Sequence, residues 1–366
     1  MKTSKIGSLV QKFIRKHLLF CFILLAGLIT LVFGLLIFND VTWAHWYYNR
    51  FFIPVNTTMQ SVLQFSETPF YMVVLVICFV LLIGQIMSVA GEGWRRGLVS
   101  WGLFLLSSLV LIVVLFYWLW GFNYGRSTIG EFYFQDEYVT LDTMDFKDRW
   151  KLQTNRVNLL RSKVVMPDST EKRLTQQYAI RYRETIPKLD GSLGLDKRLQ
   201  PQCKEFVPAG LLLRLNTAGF YFPFGSESYV DKALHVSQKP FVIAHELAHG
   251  YGITDEGEAN FIGYLLSQAS ADPLAQYSSA MALWLYMASD GRHLSPSFTQ
   301  SMWDGLSPAV WDDLQDRQAL NERYPEFMPR MRDAVYDSYL SLNKVEGGMK
   351  SYNRFVKMVL TYEENF

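Results

Sequence analysis

Three long apolar runs fill the first third of the chain. Residues 18–38, 69–89 and 98–120 contain no charged side chain. Each reaches the roughly 20 apolar residues that a helix needs to cross a bilayer. The first run is too long for a secretory signal and lacks a small-x-small cleavage pattern, so it is expected to be an uncleaved anchor. Past residue 121 the pattern changes to evenly spread charges without low-complexity linker or repeat, which predicts one domain over 121–366 behind a membrane anchor over 1–120. Within that domain, 145–164 and 167–186 have helical spacing, the second with Asp168 or Ser169 as its N-cap. Residues 211–215 and 220–224 read as two short strands joined by a turn at 216–219. Pro223 cannot donate to a ladder, which puts the second strand at a sheet edge. After Gln238 helical spacing returns almost to the end. The fold class is therefore α+β, mainly α, with a bundle of three transmembrane helices and a small edge-exposed sheet.

Charge orients the anchor. Lys2, Lys5, Lys12, Arg15 and Lys16 precede the first run, the loop 39–68 carries only Arg50 as a base, and Arg95 with Arg96 follow the second run. Positive charge alternates in, out, in, out, so the N-terminus is expected in the cytoplasm and the C-terminal domain outside it, in a multi-pass protein of the cell membrane. Trp43, Trp46, Tyr47 and Tyr48, then Trp118, Trp120 and Tyr124, are expected as headgroup-level anchors. A net charge of +1 with 50% hydrophobic residues argues against disorder and against nucleic acid as a partner. The bilayer is the first partner implied. Cys21, Cys78 and Cys203 are scattered and offer neither a disulfide framework nor a cysteine zinc site.

The chemistry concentrates in FVIAHELAHGYGITDEGEANF, residues 241–261. His245 and His249 stand one helical turn apart on a helix that is otherwise apolar, with Pro240 suited to its start and Gly250 and Gly252 to its end. Such a helix is buried. Burying each polar group unpartnered would cost about 2 kcal/mol or more, and a metal ion with its water removes that penalty. Zinc in a catalytic site usually takes three protein ligands, so a third must come from elsewhere, and Asp255, Glu256 and Glu258 follow directly. With Asp255 as N-cap, Glu258 completes a capping box and Glu256 is left to bind, with Glu258 as the alternative third ligand. Glu256 shares a face with Asn260, Gly263 and Ser267, a small and polar stripe that allows close packing on the histidine helix and lets Asn260 support a ligand imidazole; Phe261, Ile262, Leu265 and Leu266 face the core.

At these residues the chain resembles the gluzincin metallopeptidases, with H-E-x-x-H and a following E-x-x-x-[DN]. The resemblance implies a zincin-like domain, Zn²⁺ held by His245, His249 and Glu256, Glu246 as catalytic base, and Asn260 behind the ligands. LWGFNYGR, YFPFGSES, the motif itself and DSYLSLNKVEGGMKSYNRFVKMVL together resemble a bacterial membrane-protein family of unknown function, over nearly the whole chain. The chemistry implied is hydrolysis of a peptide or protein substrate, in which Glu246 takes a proton from the attacking water and returns it to the leaving amine. A substrate in extended form could add to the edge strand near 220–224. Tyr277, Arg292, His293 and Tyr352 are downstream groups able to steady an oxyanion, none singled out by spacing. Two other readings compete. One is a catalytically inactive, membrane-anchored zinc-binding scaffold or interaction protein, which has no use for Glu246. The other is an intramembrane protease, for which the motif helix is too short and is followed at once by charges.

Overall fold

The computed structural model describes residues 18–90, 93–139, 142–167, 174–291, 294–327 and 353–365. The proposed caps Asp168 and Ser169, the residues Arg292, His293 and Tyr352, and the basic cluster from Lys2 to Lys16 lie outside the described residues. The chain forms two compact units, Met1–Val55 with Glu67–Arg126, and Asn56–Ser66 with Ser127–Phe366.

The first unit holds α1 (Leu18–Ile37), α2 (Val41–Tyr47), a π-helical turn (Tyr48–Phe52), the first residues of α3 (Ile53–Leu63), α4 (Phe70–Val89) and α5 (Trp94–Leu119). Helices α1, α4 and α5 are each long and apolar enough to cross a membrane. Their exposed side chains are largely apolar, Leu31, Leu75, Phe79 and Leu109 among them. Polar side chains on these helices are satisfied between or within them: Trp118 Nε1 donates to Thr30 Oγ1 (2.9 Å), which itself donates to the Ala26 carbonyl (2.8 Å). The aromatic anchors divide. Trp43 and Trp46 stay exposed, whereas Tyr47, Tyr48 and Trp120 are buried. The Phe33 ring stacks on Trp118 at 5.0 Å and meets Phe122 edge-on at 5.4 Å, and the Tyr47 hydroxyl donates to the Trp118 carbonyl (2.8 Å). Because Phe122 is locked into this cluster, the first unit runs to Arg126 rather than ending at residue 120.

The second unit contains α6 (Ile129–Phe132), α7 (Thr143–Ser162), α8 (Leu174–Thr185), β1 (Gln202–Phe206), α9 (Leu211–Arg214), β2 (Gly219–Phe222), β3 (Glu227–Asp231), α10 (Lys239–Gly250), α11 (Glu256–Ala269), α12 (Pro273–Asp290), α13 (Pro296–Asp304), α14 (Pro308–Arg323) and α15 (Asn353–Asn365). It also claims Asn56–Ser66, expected in the anchor, because Gln60 bonds the Ser226 hydroxyl (2.9 Å) and accepts from Gln200 N (2.6 Å). The sheet order is β1-β3-β2, with β1 parallel and β2 antiparallel to β3. Helix α10 packs against all three strands and against α8, α11 and α12, which makes it the buried axis of the unit. Trp150 of α7 and Trp284 of α12 are both fully buried with ring centroids 5.8 Å apart, and Trp284 Nε1 donates to Thr154 (2.8 Å).

The strand expected at 211–215 is instead the helical turn α9. Gly210 has φ +82°, and the buried Asp231 carboxylate accepts from the backbone N–H groups of Gly210 (2.7 Å), Leu212 (2.8 Å) and Leu213 (3.2 Å). A cap donated from a distant strand overrides the local apolar run. The strand expected at 220–224 is β2, which lies at the sheet edge and ends before Pro223. Strands β1 and β3 went unread. All of β3 is buried, so it shows no alternation, and its Glu227 is satisfied by Lys204 and the Tyr229 hydroxyl.

Candidate metal centre

Pro240 sits in the first turn of α10, and Phe241, Ile243, Ala244, Leu247 and Ala248 are buried around it, so the helix carries its polar groups into the core. His245 and His249 face the same way, with Nε2 atoms 3.2 Å apart. Their other ring nitrogens are engaged. Nδ1 of His245 meets Asn260 Oδ1 (2.9 Å) and Nδ1 of His249 meets the Ile253 carbonyl (2.8 Å). Both partners can only accept, so each Nδ1 carries the proton and both Nε2 lone pairs converge on one point.

The chain then turns. Gly252 takes φ +86°, a conformation that favours glycine, and this turns the Ile253 carbonyl back to His249. Asp255 caps α11 by accepting from Glu258 N (3.0 Å), which makes Glu256 the first helical residue. Glu256 Oε2 lies 3.2 Å from His245 Nε2 and 3.8 Å from His249 Nε2. A tetrahedral ion with bonds of about 2.0–2.1 Å would space its donors by roughly 3.3 Å, so the triangle fits such an ion. The close approach of α11 comes from Gly263, where a Cβ would stand 3.1 Å from the His245 backbone nitrogen. Phe261, Ile262, Leu265 and Leu266 are buried on the far side.

The capping box is only half formed. Glu258 does not reach back to Asp255; its carboxylate accepts from Gly130 N of α6 (3.0 Å) in a buried position, away from the imidazoles. Burial, followed by the charge of Asp255, pushes its pKa up to about 8. Arg354 of α15 holds the other oxygen of Asp255 (3.0 Å).

Glu246 is 5% exposed, and its Oε2 is buried without a hydrogen-bond partner. A buried carboxylate oxygen left unpaired is costly, and such an atom beside a converging donor triangle fits a site that receives water and a cation. Burial and then the charge of Glu256 raise the Glu246 pKa to about 8 against the opposing pull of His245. Burial works against protonation of His245, but the Glu256 hydrogen bond and the charges of Glu246 and Glu256 outweigh it and raise the pKa; burial keeps that of His249 low. The side chains of His245 and Glu256 retain 14% and 21% exposure, so water can approach the triangle.

Of the downstream candidates, Tyr277 is buried and its hydroxyl is engaged as a donor to Asp313 (2.6 Å). Sequence reasoning missed Ile253, Tyr286 and Gly219. Asn260 Nδ2 donates to the Tyr286 hydroxyl (3.1 Å). A Cβ on Gly219 of β2 would lie 2.7 Å from Glu246 Oε1, so this glycine leaves room for that carboxylate.

By class, the chain combines three helices able to span a membrane with a mainly helical unit bearing a small sheet and a His-His-Glu cluster. It belongs to the family described as "Protein of unknown function (DUF3810)", whose model matches residues 12–360. Comparison with curated proteins and with solved structures yields no match.

Proposed function

We propose that this protein is a membrane-anchored, zinc-dependent metallopeptidase of gluzincin type. The observation that carries the reading is the triangle of His245 Nε2, His249 Nε2 and Glu256 Oε2 beside the unpaired Oε2 of buried Glu246. Two imidazoles and one carboxylate, with room for water, form a donor set that favours zinc in its catalytic form. Bound there, the ion supplies an acidified water and polarises the scissile carbonyl. Glu246 takes the proton of the attacking water on its unpaired oxygen and delivers it to the leaving amine nitrogen. Asn260 and the Ile253 carbonyl hold the two imidazoles with Nε2 forward.

The substrate on this reading is an extended peptide segment. Strand β2 is a sheet edge, and its Gly219 touches the Glu246 side chain, so a chain added to that edge runs past the base. Lys and Arg placement supports an extracytoplasmic position for the catalytic unit.

The test uses the full-length protein purified in detergent. Metal content by mass spectrometry should give one zinc per chain, and hydrolysis of an unfolded protein substrate should depend on zinc and disappear in Glu246→Gln. Zinc bound with no Glu246-dependent turnover would make the protein a tethered zinc scaffold instead.

A further inference from the structure

For His245 to offer Nε2, the Asn260 amide must present its oxygen to Nδ1–H and its NH₂ to something else. Asn260 is only 2% exposed, so water does not serve that NH₂. What receives it is the hydroxyl oxygen of Tyr286, on α12, at 3.1 Å. A reversed amide would set two donors, N–H and NH₂, against each other, or force the proton of His245 onto Nε2, where it would fill the position a metal needs. The Tyr286 ring is itself fixed, edge-on at 5.1 Å to the fully buried Phe355 of α15.

We propose that Tyr286 is a positioning residue of the metal centre: it accepts the Asn260 NH₂ and so keeps the amide oxygen on His245 Nδ1 and the Nε2 lone pair on the ion. The inference rests on the metal reading above and extends it to a residue 41 positions away in the chain, carried by a different helix.

Zinc affinity is measured by chelator competition on full-length wild type, Tyr286→Phe, Asn260→Ala and the double variant. Loss of an outer partner of a ligand histidine weakens binding by about 10- to 100-fold. Asn260→Ala should fall in that range, Tyr286→Phe at its lower end, about 10-fold, and the double variant should bind no more weakly than Asn260→Ala alone. That non-additivity is what a merely structural tyrosine would not produce. A second measurement needs no variant: in wild type, the Asn260 NH₂ protons should show stronger nuclear Overhauser contacts to the Tyr286 ring than to the His245 ring. Unchanged affinity in Tyr286→Phe, a full additive penalty in the double variant, or NH₂ contacts stronger to His245 than to Tyr286 would each overturn the positioning role. Wild type that binds no zinc would overturn it together with the proposed function.

Discussion

Three glutamates within thirteen residues show how position decides what one functional group does. Glu246 and Glu258 are both buried and both raised to about 8, yet Glu246 has an unpaired oxygen beside two imidazoles, while Glu258 is bonded to the start of α6. Replacing Glu246 by Gln keeps size and metal donors but removes the base. Turnover should drop by about 10²- to 10⁴-fold with zinc content unchanged, as read by parallel activity and metal assays. Glu256→Gln removes a donor instead, and should weaken zinc by more than the roughly 10- to 100-fold that an outer partner costs. Glu258 predicts a pH effect on stability. Its folded pKa of about 8 lies above the ordinary 4.5, so the folded chain keeps a proton that the unfolded chain has released, and stability declines as pH rises from 4.5 to 8. In metal-free protein, Glu258→Gln should flatten that decline relative to wild type, by a few degrees in Tm between pH 5 and pH 8. Tm curves that stay parallel over that interval would contradict this assignment.

At the scale of elements, the site is two helices joined by a tight turn, and most of that is legible in the sequence. The i, i+4 histidines, the glycine stop and the Asp255 cap are local signals, and α10 ends and α11 begins where those signals place them. What was not legible depends on partners far along the chain. The Asp231 carboxylate turns 211–214 into a helix, Gly130 captures Glu258, and Arg354 clamps Asp255. Tyr286 carried no signal at all, since its contact with Asn260 needs three helices in place. The small stripe of α11 was readable, and it gives a packing prediction. Gly263 stands against the His245 backbone, so Gly263→Val forces α11 outward and carries Glu256 with it. Overpacking of this kind costs about 1–3 kcal/mol. Chemical denaturation should report that loss, and zinc affinity should fall with it, even though no donor is altered.

At the scale of the whole molecule, length and apolarity establish three helices able to span a membrane, and the family covers them together with the second unit. Orientation is a separate question with its own physics. Lysine and arginine near the ends of spans stay on the cytoplasmic side, and here Arg95 and Arg96 stand in the first turn of α5, whereas the segment 39–68 has a single arginine. With an odd number of spans, the proposed topology has the second unit on the side opposite the N-terminus. Gly93 has open space around its Cα, and Lys357 is exposed on α15, so single cysteines there are suitable probes once Cys21, Cys78 and Cys203 are replaced. In intact cells a membrane-impermeant maleimide should label Lys357→Cys and leave Gly93→Cys unlabelled until the cells are lysed. Labelling in the opposite sense would place the metal triangle in the cytoplasm, where its substrates would be cytosolic chains, and would mean that the arginines at the start of α5 do not set the topology.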